Sequence, residues 1–96
     1  MMAMMKYSIK RTNLFRKQYK LLEKRGYNMV LLDNVILMIA NGESLPAQYN
    51  DHPLKGNRKG LRDCHIQNDW ILIYKIDNDV LTLFLFETGT HSDLLE

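Results

Sequence analysis

Cysteine is almost absent from this 96-residue chain, where Cys64 stands alone. A single thiol forms no internal disulfide, which fits a reducing cytosol, and no CxxC pair or Cys-rich cluster is available for a thiolate zinc site. A buried, inert thiol is the expectation. Two prolines and five glycines are too few for extensive disorder. No apolar run approaches the roughly 18 to 20 residues of a membrane span. The opening MMAMMKYSIK has four methionines but no apolar stretch long enough for a secretory leader. Its extra methionines read as start-codon ambiguity or a frayed tail. Together these absences predict a soluble, cytoplasmic protein with no membrane partner.

What is present is an ordinary globular composition, 46% hydrophobic and 25% charged. A chain of this length forms one domain, residues 1–96, that buries about two-thirds of its unfolded surface without metal or disulfide staples. The formal net charge of +2 conceals an asymmetry. Residues 1–62 carry 12 Lys or Arg against 4 Asp or Glu, and residues 63–96 carry 1 against 7. A basic portion suits an anionic partner, of which phosphate backbones are the commonest, although solvated Lys and Arg faces on amphipathic helices explain the same charge.

The alternation of Tyr7 and Ile9 in KYSIKRT (Lys6 to Thr12) predicts a short strand. A helix capped by Thr12 or Asn13 follows, with Phe15, Tyr19 and Leu22 on one face, Leu14, Gln18 and Leu21 beside them, and Gly26 at its end. A second helix runs from about Asn28 to Asn41, with Leu31, Val35, Met38 and Ile39 inside and Gly42 as its stop. The segment NGESLPAQYNDHPLKGNRKG reads as loop with a brief extended piece at His52 to Leu54. Three strands then form a meander, Leu61 to Ile66, Trp70 to Ile76 and Val80 to Phe86, joined through QND and DND. The middle strand is apolar on both faces, as a central strand covered on both sides should be. The pattern is an α+β fold, β-α-α-β-β-β, with an antiparallel sheet and a helical hairpin packed on one of its faces.

Strand alternation turns the charged stretch NDHPLKGNRKGLRDCH into geometry. Leu61, Asp63 and His65 project to one face of their strand, and Arg62, Cys64 and Ile66 to the other. With Cys64 and Ile66 in the core, Asp63 and His65 point to the face the helices leave open. His52 enters from just upstream, Asp69 and Trp70 lie across the next turn, and His91, beyond ETGT, can return to the same face. All three histidines can therefore converge. Imidazole has a reference pKa of about 6.5, so one ring can accept a proton while another donates. Cleavage of RNA by its own 2'-OH needs a base for that hydroxyl, positive groups for the crowded phosphate and an acid for the leaving 5'-oxygen. Two histidines with Lys or Arg meet that need. Zinc ligation by the three histidines is the competing chemistry, but there is no HxH or HExxH pair, and the surrounding Lys and Arg repel a cation. Each residue also has a plain structural reading. His52 can be a turn residue, His65 a structural strand residue, and Asp63 and Asp69 edge charges. Lys55, Arg58, Lys59 and Arg62 can be a solvated loop, and Trp70 a packing anchor rather than a platform on which a base stacks.

The run LPAQYNDHPLKGNRKGLRDCHIQNDWILIYKI, followed by TGTHSDLL, closely resembles the YafQ branch of the RelE/ParE superfamily, the toxin halves of type II toxin–antitoxin pairs. The resemblance spans nearly the whole chain and is most specific in DHPLKG, RDCHI, DWILIYK and TGTHSDL. It implies a four-stranded antiparallel sheet with two N-terminal helices and a cofactor-free, metal-independent endoribonuclease that cuts mRNA in the ribosomal A site, against 16S rRNA. It implies too a cognate antitoxin that wraps the toxin and through which alone operator DNA is bound. By motif, His52, Asp63, His65, Asp69 and His91 match catalytic positions. His91 would be the general acid, His52 the general base and His65 the phosphate support, the last two roles being exchangeable, while Asp63 and Asp69 orient imidazoles or contact substrate. Lys55, Lys59, Arg62 and Trp70 would bind substrate. Three positions depart from the family pattern: Arg58 where an aromatic is frequent, Glu87 where an arginine is frequent, and Leu95 in place of a phenylalanine. A carboxylate at 87 would repel the scissile phosphate, and loss of the terminal aromatic removes a stacking surface. A non-enzymatic protein of the same fold, one that inhibits gyrase or only binds antitoxin or ribosome, is the alternative.

Overall fold

The computed structural model describes residues 5–94; the methionine tail before Met5 and the departure at Leu95 lie outside the described residues. The alternating KYSIKRT segment forms β1 (Ser8–Arg11), after which Thr12 turns the chain into α1 (Asn13–Lys24). Thr12 Oγ1 accepts from the Phe15 amide at 2.9 Å, the N-cap that its residue type favours. Gly26, at φ +86°, reverses the chain in the left-handed conformation that glycine adopts without a Cβ clash. Asn28 then caps α2 (Met29–Ala40) through its side-chain oxygen and the Val30 amide. Both helices lie where their capping signals predict.

Beyond α2, the loop contains a 3-10 turn at Ala47–Tyr49, the two-residue strand β2 (His52–Pro53) and a second 3-10 turn at Gly56–Arg58. The meander follows as β3 (Arg62–Gln67), β4 (Trp70–Asp77) and β5 (Thr82–Thr90), and one helical turn, α3 (His91–Leu94), closes the described chain. Phe15 and Leu22 of α1 and Leu32, Val35 and Ile39 of α2 pack on Cys64, Ile66, Trp70, Leu72, Tyr74, Leu83 and Leu85 of the sheet. Ile71 and Ile73, which alternate with those residues on β4, are also fully buried. The middle strand is thus covered on both sides, as its unbroken apolar run predicts. Among the described residues no helix is long and apolar enough to cross a membrane.

The sheet itself corrects the expectation of four antiparallel strands. It has five, in the order β1-β5-β4-β3-β2, and β1 runs parallel to β5, pairing Ser8 with Thr82 and Arg11 with Leu85. Hairpin links force β3, β4 and β5 to alternate in direction, whereas the two helices between β1 and the rest leave its sense unconstrained by any turn. The fifth strand is the extended piece at His52, with Pro53 tolerated because β2 is an edge strand. The last strand also begins and ends later than the Val80 to Phe86 expected. Leu81 takes a left-handed φ of +46° in the preceding turn, and pairing persists through Gly89 and Thr90, residues that read as turn formers in isolation.

Where β1 stops, α1 completes the ladder of β5. The Thr12 hydroxyl donates to the Phe86 carbonyl at 2.8 Å, and the Gln18 side-chain oxygen accepts from the Thr88 amide at 2.9 Å. These bonds satisfy backbone groups on either side of Glu87 and hold the end of β5 against the helix. A buried amide left without its acceptor costs about 1–3 kcal/mol. Gln18→Met, which keeps the length and loses the acceptor, is expected to destabilise the fold by about that amount, read as a lower urea midpoint at unchanged slope. Gln18→Glu, which retains an oxygen acceptor, is expected to lose less.

Candidate active site

The pairings of β2, β3, β4 and β5 set His52 opposite Asp63, Asp63 opposite Ile73 and Ile73 opposite Glu87. These four residues form one row across the sheet on the face away from α1 and α2. The next row holds His65, Ile71 and Gly89. His91, first residue of α3, arrives beside it because its amide donates to the Asp69 carbonyl at 3.1 Å. The Asn68–Asp69 turn that presents this carbonyl depends on Asn68 at φ +49°, a left-handed position that asparagine tolerates better than most residues.

The three imidazoles come together. His65 stands in the middle, its ring centroid 6.5 Å from that of His52 and 5.1 Å from that of His91. The outer two rings are oriented by oxygen acceptors. His52 Nδ1 is 2.7 Å from the Asn50 carbonyl, and His91 Nδ1 is 3.0 Å from Asp69 Oδ1. Carbonyls and carboxylates only accept, so Nδ1 carries the proton in both rings and Nε2 is left to exchange one. His52 Nε2 lies 3.2 Å from Oδ1 of Asp63, a carboxylate with 1% exposure. That approach is close enough for charge attraction but is not aligned as a hydrogen bond, and Asp63 Oδ1 has no other partner among the described residues.

On the opposite face of the sheet, Asp51 anchors the chain just before His52. Its carboxylate accepts from Arg62 Nε and Nη2 at 3.3 and 3.2 Å and from the Tyr74 hydroxyl at 2.5 Å. Burial first, and the bond to Asp51 second, push the Tyr74 hydroxyl well above the usual phenol range, so it stays a donor. Arg62, expected among the substrate-binding residues, is committed to this internal clamp and sits on the core side of β3. Trp70 is also placed differently from a stacking platform: it is 3% exposed, meets Tyr27 edge-on at 5.1 Å and donates its indole N–H to Thr88 Oγ1 at 2.9 Å. It is the packing anchor of its two readings. Lys55 and Lys59 are exposed on the loop between β2 and β3, and neither joins an ion pair among the described residues. Cys64 is fully buried, and that burial pushes its thiol far above the ordinary range, which matches the inert role expected of it.

A family model described as the bacterial toxin of the type II toxin–antitoxin system, YafQ, matches residues 7–96. The chain belongs to the YafQ family. The mRNA interferase toxin YafQ of Escherichia coli K12 is 44% identical over 93 residues, spanning 95% of this chain and 98% of that protein. A chain of the E. coli DinJ-YafQ toxin-antitoxin complex superposes with a TM-score of 0.87 at 39% identity, over 95% of this chain and 99% of its own length. A metal-bound toxin from Helicobacter pylori gives 0.86 at 40% identity, over 95% and 99%.

One feature of this YafQ-family chain escaped the sequence reading. Arg58 Nη2 donates to Glu87 Oε2 at 2.7 Å, so the carboxylate expected to repel a phosphate is neutralised by the neighbouring loop. The two residues are 29 positions apart and each reads alone as an oddity. The signal was that the resemblance implied other residue types at both positions, and the two residues carry opposite charges. The hydrogen-bond geometry makes a spectroscopic prediction. In long-range 1H–15N spectra taken where the rings are neutral, His52 and His91 are expected as Nδ1–H tautomers with unprotonated Nε2. A neutral Nε2–H signature for either ring would contradict the arrangement.

Proposed function

We propose that this chain, acting as a single domain, is an mRNA interferase: an endoribonuclease that cuts message in the ribosomal A site by attack of the substrate's own 2'-OH. The observation that carries this reading is the set of three imidazoles with His65 in the middle, 6.5 Å from His52 and 5.1 Å from His91, the outer two pinned through Nδ1 by oxygen acceptors. Proton transfer at both ends of a phosphodiester needs such a set. His52 Nε2 takes the 2'-OH proton, and the buried Asp63 carboxylate stabilises the positive ring that results. The 2'-oxygen bonds to phosphorus, the bond from phosphorus to the 5'-oxygen breaks, and His91, entering as the doubly protonated imidazolium, gives its Nε2 proton to that oxygen and returns to the neutral Nδ1–H ring. The products are a 2',3'-cyclic phosphate and a 5'-hydroxyl. His65, between the two, supports the charged phosphate, and the base and support roles of His52 and His65 are exchangeable on this geometry. Asp69 orients His91. Lys55 and Lys59, exposed and unpaired among the described residues, would hold message or ribosomal RNA backbone.

The name of the E. coli relative and the toxin–antitoxin complex among the solved relatives support the same activity and a cognate antitoxin as partner. A binding-only toxin has no use for three imidazoles on one face. The toxin from H. pylori binds metal, so a metal-assisted reaction is a second reading, and the two separate in EDTA: RNA cleavage that survives the chelator supports acid–base chemistry by side chains alone.

His91→Ala is expected to lower cleavage by about 10² to 10⁴-fold with the circular dichroism spectrum unchanged. On induction in bacteria, 5'-end mapping of mRNA is expected to show cuts in register with the reading frame for the unmodified chain and none for the variant. Equal growth arrest by both, with no such cuts, would support the binding-only alternative.

A further inference from the structure

Resting on that reading, we propose that Arg58 supplies the guanidinium that holds the scissile phosphate, and that Glu87 is a positioning residue that keeps it there. Among the described residues no other cation is fixed beside the histidines by a partly buried carboxylate on the open face. Arg62 is spent on Asp51, on the other face of the sheet. Lys55 and Lys59 are exposed on a loop, and Lys75, though on the open face of β4, is exposed and one row further along. Arg58 differs from all of these: it is two-thirds buried and its Nη2 is held at 2.7 Å by a carboxylate with 17% exposure.

The register says where that guanidinium lies. Glu87 ends the row that begins with His52 and Asp63, with the fully buried Ile73 between. Two strand spacings, about 10 Å, separate β3 from β5. A phosphodiester bound on this face of the sheet therefore has the histidines on one side and Arg58 on the other. Guanidinium is a planar fork of five N–H donors that matches phosphate oxygens two at a time. Only one nitrogen of Arg58 is engaged among the described residues, so donors remain for a ligand. Glu87 itself cannot contact an anion. Its use is to fix the end of an otherwise mobile side chain on a short 3-10 turn, so that charge is in place before the phosphate crowds.

The test is single-turnover cleavage of message on programmed ribosomes by the full chain. Arg58→Gln is expected to slow cleavage by about 10² to 10³-fold at saturating enzyme, the cost of removing one preorganised donor to a developing charge. Glu87→Gln, which leaves Arg58 present but untethered, is expected to slow it less, with the loss in rate rather than in affinity. Two readouts separate these roles from a purely structural one. Free guanidinium ion at millimolar levels is expected to restore part of the activity of Arg58→Ala. Adding Glu87→Arg to Arg58→Gln is expected to recover cleavage, because the cation then comes from β5 itself. Cleavage by Arg58→Gln at the unmodified rate, or no rescue by either route, would overturn this inference alone. No cleavage by the unmodified chain would overturn the enzymatic reading, and this inference with it.

Discussion

The pairing of Asp63 with Ile73 and of His65 with Ile71 is the constraint on which the remaining structure depends. It sends Cys64 and Ile66 into the helix-covered core and leaves a carboxylate and an imidazole on the other side of the same strand. Because side chains alternate along a strand, a slip of one residue would bury His65 against Leu32 and Val35 and expose Cys64 and Ile66. The hydrophobic cost of that slip is what holds the chemistry in place. A stable core and an open polar face are two consequences of one register.

Around that register, polar side chains finish what the strands cannot. β1 is too short to pair the whole of β5, and Thr12, the N-cap of α1, and Gln18 within that helix take up the carbonyl and amide beyond its end. β2 has only two residues, and Asp51, gripped by Arg62 and Tyr74 from the core side, holds it against β3 so that His52 meets Asp63. Both devices fix backbone on either flank of the histidine row without putting any group into it. The rings of His52 and His91 are then set by single acceptors, Asn50 and Asp69, that decide which nitrogen faces outward.

Much of this was legible in the sequence, for physical reasons. The helices announced themselves through Thr12, Asn28, Gly26 and Gly42, whose side chains or lack of them suit only helix ends. The unbroken apolar run WILIY marked a strand buried on both faces, and the alternation in RDCHI put Asp63 and His65 on the side of β3 away from the helices, where Asp63 is nonetheless buried. Convergence of the three histidines followed from topology. What was hidden depends on contacts that no local pattern encodes. The parallel sense of β1 is set by packing across two helices. The burial of Trp70 depends on Tyr27, and although alternation put Arg62 on the core side of β3, its capture there by Asp51 is a contact between segments that no local pattern shows. The Arg58–Glu87 pair joins a loop to a strand on the far side of the sheet.

The central claim is that the substrate's own 2'-hydroxyl is the nucleophile and the imidazoles move its protons. A message with a single 2'-deoxynucleotide immediately 5' of the cut phosphate, presented on ribosomes to the unmodified chain, tests this directly. Cleavage should vanish at that phosphate and persist at neighbouring all-ribose sites. A cut at the deoxy position at the ordinary rate would mean that water or another group attacks, and the arrangement of His52, His65 and His91 would need a different chemistry.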